Sequence, residues 1–80
     1  MIESEVKEIL QDFWKTEEEC KKLRRRMADW DFIKSQPPRI RAALEYYIET
    51  GDLYVASRIA GVTVGKMNEL RKRAKIPNVA

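Results

Sequence analysis

Ile2, Val6, Ile9, Phe13, Thr16, Cys20, Leu23, Met27 and Trp30 fall at intervals that alternate between four and three. That is a heptad stripe, apolar everywhere except Thr16, and neither glycine nor proline interrupts residues 1–36. A helix from about residue 3 to 34 would run to roughly 45–50 Å at 1.5 Å per residue. A chain of 80 residues has no interior that long. The stripe therefore predicts a long amphipathic oligomerisation helix within residues 1–35. Ile2, Val6, Ile9, Phe13, Cys20, Leu23, Met27 and Trp30 form its contact face.

Leu10 and Trp14 widen the stripe in its first half, so this half meets more than one helix, in a four-helix dimer core or against its own C-terminal domain. Glu3, Glu5, Glu8 and Asp12 lie early, whereas Lys21, Lys22, Arg24, Arg25 and Arg26 lie late. Antiparallel pairing lays acid against base and is the favoured arrangement. A rival reading starts a new helix at Thr16, where Thr16-Glu17-Glu18-Glu19 fits a capping box. Against it, the heptad phase passes through Thr16 unshifted.

Ser35-Gln36-Pro37-Pro38 marks the one clear boundary, because proline disfavours helix in the residue before it and is tolerated in a first turn. The long helix is expected to end near Lys34, with Ser35 capping the next. That next helix carries Ile40, Ala43, Leu44, Tyr47 and Ile48 at helical spacing and ends at Gly51. Asp52 caps a third helix with Ala56, Ile59 and Ala60 on one face, and Gly61 ends it. Thr63 caps a fourth, whose buried face is Met67, Leu70 and Ala74 and which Pro77 stops. The expected fold is all-α: the long helix, a three-helix domain over 36–77, and a frayed tail over 78–80.

Ala56-Ser57-Arg58-Ile59-Ala60-Gly61-Val62-Thr63 resembles the helix-turn-helix pattern of a small residue, three positions, glycine, then an apolar residue. Ser57 takes the small position, Gly61 the turn and Val62 the apolar plug, while Met67 and Leu70 form the core of the recognition helix. The wider stretch, through Leu70-Arg71 and Ile76-Pro77, is similar to small prokaryotic helix-turn-helix proteins, including antitoxin-like ones. The resemblance covers about the last 40 residues and implies a DNA-binding, transcription-regulating function. A helical hairpin that serves only the core is the other reading of the same residues.

Charge agrees with the first reading. The net charge is +3, yet residues 1–38 carry eight basic and nine acidic residues, and 39–80 carry eight basic and four acidic. From residue 58 onward Arg58, Lys66, Arg71, Lys72, Arg73 and Lys75 face Glu69 alone. The positive excess suits a polyanion; a solvated face that aids solubility is the plainer alternative. A single cysteine allows no intrachain disulfide, no apolar run approaches a membrane span, and the N-terminus lacks a signal-peptide core. The expected location is the cytoplasm. A chain this short buries a modest core, which makes a homo-oligomer (dimer or tetramer) the expected state.

The chemistry of catalysis is thin. There is no histidine, the commonest general base and metal ligand. Cys20 sits on the heptad seam, where a small buried apolar role outweighs a reactive one. Gly61-Val62-Thr63-Val64-Gly65-Lys66-Met67 lacks both the spacing and the hydroxyl of a phosphate loop. Glu17-Glu18-Glu19 spread around a helix and do not converge. An enzyme is the least favoured class, and no metal or cofactor is expected.

With Met67, Leu70 and Ala74 inward, Gly65, Asn68, Glu69 and Lys72 turn outward. Asn68 can read adenine through both edges of its amide, Lys72 can donate to guanine, and Thr63 and Val64 can reach a phosphate and a thymine methyl. Tyr54, Arg58, Lys66, Arg71, Arg73 and Lys75 are the phosphate candidates. Gly65 and Glu69 count against strong base reading, the first for lack of a side chain and the second for its charge. Ordinary exposure is the competing explanation for Asn68 and Lys72. The leading expectation is a homo-oligomeric regulator of double-stranded DNA. The alternative is an interaction module for a heterologous protein, antitoxin-like, with the helix-turn-helix secondary or vestigial. A coiled-coil spacer, the third option, leaves the basic face without a role.

Overall fold

A computed structural model describes residues 17–79 of the chain. Ile2, Val6, Ile9 and Phe13 of the expected seam, the rival helix start at Thr16, and Ala80 of the tail lie outside the described residues. Among the described residues all regular structure is helical: α1 (17–27), α2 (Trp30–Ser35), α3 (Pro38–Thr50), α4 (Leu53–Ala60) and α5 (Val64–Arg73). None of these helices is long and apolar enough to cross a membrane.

The helix expected to run unbroken to about Lys34 stops at Met27, and this corrects the heptad reading. Asp29 leaves helical geometry (φ −83°, ψ 91°), and its carboxylate accepts from the Phe32 amide at 3.1 Å to cap α2. The Asp29 amide donates to the Ala74 carbonyl at 2.7 Å, a tertiary bond that replaces its helical partner. Trp30 Nε1–H donates to the Arg25 carbonyl at 2.9 Å and so satisfies one of the open carbonyls at the end of α1. Trp30 therefore belongs to α2 and packs against the domain core instead of extending the seam.

Two further expectations change at helix ends. Ser35 caps nothing: its hydroxyl donates back to the Phe32 carbonyl, and α3 opens at Pro38 behind Pro37 without a side-chain cap. Helix α5 ends at Arg73, before Pro77 is reached. Lys75 takes a left-handed conformation (φ 57°), its amide bonds the Lys72 carbonyl, and the Ile76 amide bonds that of Arg71. These are the paired bonds of a Schellman ending, with Ile76 buried against the core.

The other boundaries fall where the sequence puts them. Asp52 and Thr63 cap α4 and α5 through bonds from Val55 and Lys66 amides at 3.0 and 3.1 Å. Gly51 and Gly61 both sit at φ 71°, closing α3 and α4. The core is built from Ile33 of α2, Leu44, Tyr47 and Ile48 of α3, Met67 of α5, and Ile76 beyond it, all fully buried. Ala43, Ala56, Ala60 and Ala74 let the backbones approach between them. Truncating Leu44 or Met67 to Ala in such a core costs about 2–5 kcal/mol.

Helix α1 docks on α3 through a face one residue away from the seam. Arg24, 3% exposed, and Ala28 just past the helix end are the buried residues here, whereas Met27 is 55% exposed and Cys20 and Leu23 are half-buried. Arg24 Nε donates to the Ile48 carbonyl at 2.9 Å and Nη1 donates to the Val79 carbonyl. Its cation thus lies at the C-terminal end of α3, where helix carbonyls concentrate partial negative charge. Glu49 receives Lys21 Nζ at 2.9 Å and also Arg25 Nη2. Two tail residues bond to the domain: besides the Arg24 bond to Val79, Tyr47 Oη donates to Asn78 Oδ1 at 3.1 Å. Both tail residues answer buried polar groups that need partners.

Candidate nucleic-acid interface

The unit formed by α4, Gly61–Thr63 and α5 presents the outer side of α5 to solvent. Its local causes are readable in order. Ser57 is buried, with its hydroxyl donating to the Tyr54 carbonyl at 2.6 Å. Gly61 supplies positive φ, and a Cβ there would stand 3.3 Å from Arg39 Cζ. Arg39 reaches over from α3 and donates Nε–H to the Ile59 carbonyl at 2.7 Å. No periodicity marks Arg39 in the sequence, because its partner Ile59 lies 20 residues away.

Of the base-reading candidates, Thr63 and Val64 stand exposed at the start of α5, Val64 at 41%. The Thr63 hydroxyl already accepts from the Lys66 amide, though it keeps its own proton to donate. Lys72 is exposed on the same side, and Gly65 has open space where a side chain would stand. Asn68 is half-buried, and its Oδ1 accepts from Arg71 Nε at 2.9 Å.

The phosphate candidates divide. Lys72's neighbours Arg73 and Lys75 are exposed, Arg73 with its guanidinium 5.4 Å from the centre of the Phe32 ring. Lys66 is exposed too, with Nζ 3.8 Å from Glu69 Oε2. Tyr54 is 59% exposed, and Arg58 Nη1 donates to its hydroxyl at 3.2 Å, which orients both toward the same region of α4. Arg71 is different, and its assignment as a surface phosphate contact is corrected. It is 8% exposed, with Nε on Asn68 and Nη1 on the Ile76 carbonyl at 2.8 Å. Its place four residues after Met67, on the flank of the buried stripe, was the available signal.

Arg58 of α4, Lys66, Lys72 and Arg73 of α5, and Lys75 just beyond it are therefore all exposed, with Glu69 the one acid from residue 58 onward. Among the described residues no three His, Cys, Asp or Glu side chains converge as a metal site requires. Comparison with protein-family models, curated proteins and solved structures finds no match to the chain.

Proposed function

We propose that this protein is a DNA-binding regulator that acts as a homo-oligomer, with α4 and α5 as a helix-turn-helix and α5 docked in the major groove. The observation that carries the reading is the exposed cationic side of α5, which the core leaves unused while Met67, Leu70 and Ala74 bury the opposite side. Thr63, Val64 and Lys72, with Asn68 beside them, face the base edges. Arg58, Lys66, Arg73 and Lys75 lie along the phosphates, joined by Tyr54. A two-fold dimer places its half-sites about 34–36 Å apart, or a multiple of that spacing. The N-terminal segment, with its heptad stripe, joins the protomers.

Titration of labelled random-sequence duplex across a salt series tests this reading. Engagement of three to five cations per protomer contributes roughly −2.7 to −4.5 to the log–log slope for each protomer, about twice that for a dimer that binds as a unit. Absence of binding at low salt contradicts it.

Met27 fits a second reading as well as the first. A large apolar side chain 55% exposed beside half-buried Cys20 and Leu23 is a surface another helix can cover. In that reading the occupant is a heterologous protein and DNA binding is secondary. Co-purification of a stoichiometric partner together with loss of DNA binding would favour it.

A further inference from the structure

Arg71 and Asn68 lie one turn apart on α5, joined by the Nε–H bond to Oδ1 at 2.9 Å. A guanidinium carries five donors and no acceptor, so the amide atom that faces it has to be the oxygen. Arg71 is itself buried and fixed by its second bond, from Nη1 to the Ile76 carbonyl at 2.8 Å. Oδ1 is thus turned toward the packed side of the helix. Nδ2 has no acceptor among the described residues, and no buried side-chain nitrogen or oxygen there lacks a partner. The amino end of the amide is what Asn68 offers to solvent.

We infer that Arg71 is a positioning residue that makes Asn68 a hydrogen-bond donor, matched to the acceptor edge of guanine. The inference rests on the docking of α5 in the major groove proposed above. In that groove guanine presents two acceptors, N7 and O6; adenine sets a donor beside N7, thymine offers O4 alone, and cytosine offers the N4 donor. A two-point contact with adenine needs Oδ1 to accept from N6, and Arg71 holds Oδ1. Asn68 reads the opposite of what its residue type alone implies.

Selection of bound sequences from a random duplex library by the wild type, Asn68→Asp and Arg71→Met tests this. Circular dichroism first establishes that each variant is folded. The wild type enriches guanine about fivefold or more over adenine at one position of each half-site. Asn68→Asp keeps the Arg71 bond and turns an acceptor outward, which moves that position to cytosine and leaves the others unchanged. Arg71→Met releases the amide to rotate and admits adenine there; if that variant does not fold, Asn68→Asp decides alone. Adenine at that position in the wild-type site, or an Asn68→Asp site identical to the wild type, overturns the inference while DNA binding stands. Failure of the wild type to bind duplex at low salt overturns the functional reading and the inference together.

Discussion

Arg24 Nε donates to the Ile48 carbonyl at 2.9 Å, across 24 residues of sequence, and ties α1 to the end of α3. The same guanidinium holds the Val79 carbonyl, so one side chain gathers the first described helix, the middle helix and the tail. Arg24→Met keeps most of the alkyl stem and removes both bonds, leaving a buried carbonyl without its donor. Urea denaturation is expected to show a loss of about 2 kcal/mol. Arg24→Lys recovers less than half of it, because an ammonium cannot span both carbonyls as a planar fork does. A loss below about 0.5 kcal/mol for Arg24→Met would contradict this role.

Lys75 holds a left-handed conformation (φ 57°) at the position where helices usually place glycine. Lys75→Gly removes the steric cost of that conformation and is expected to raise stability by up to about 1 kcal/mol. It also removes one proposed phosphate contact, which lowers the salt slope by about 0.9. Stability and DNA affinity then move in opposite directions, and thermal melting beside a binding titration reads both.

Glu69 is the acid on the cationic face, 3.8 Å from Lys66 Nζ. Both groups are exposed, so their pairing contributes little to folding, within about 0.5 kcal/mol. Glu69→Gln leaves melting nearly unchanged and tightens duplex binding at low salt, by about twofold to fivefold, with the gain screened as salt rises. Equal affinity of the two proteins at low salt would place Glu69 away from the DNA.

Two groups make the stability of the fold depend on pH. Hydrogen bonds from Lys21 and Arg25 hold the Glu49 carboxyl below its ordinary value. Its contribution is present above the ordinary glutamate pKa of 4.5 and is lost as pH falls through the lower folded value. Burial pushes the Tyr47 hydroxyl above its ordinary 10.0, against the opposing charges of Arg71 and Arg24. The folded state therefore keeps that proton longer than the unfolded chain. The contribution is complete below pH 10.0 and is lost as pH rises through the folded value. The stability difference between wild type and Glu49→Gln is expected to shrink in acid, and that between wild type and Tyr47→Phe to shrink in alkali. Denaturant titrations across pH check both.

The features legible in the sequence were those with local causes. Asp52, Gly61 and Thr63 punctuate α4 and α5 through bonds to residues within five positions, and the stripes of α3 and α5 follow from helical period. What escaped depends on partners far along the chain. The break at Asp29 breaks no period, since Met27 and Trp30 keep heptad spacing through it; the Ala74 carbonyl and the Asp29 cap decide it. Arg24 and Arg71 read as surface cations by residue type and are buried, because carbonyls of Ile48, Val79 and Ile76 await them. The cationic face lost Arg71 and kept its other members.

The most direct test of the proposed function separates the α5 surface from net charge alone. Lys72→Ala, Arg73→Ala and Lys75→Ala combined remove three exposed cations from the proposed interface. Lys22→Ala, Arg26→Ala and Lys34→Ala combined remove three exposed cations from α1 and α2. Duplex titrations in a salt series are expected to show the first protein with a slope shallower by roughly 2–3 and greatly weakened binding, and the second close to wild type. Equal losses in the two proteins would reduce the attraction to unspecific charge and contradict docking by α5.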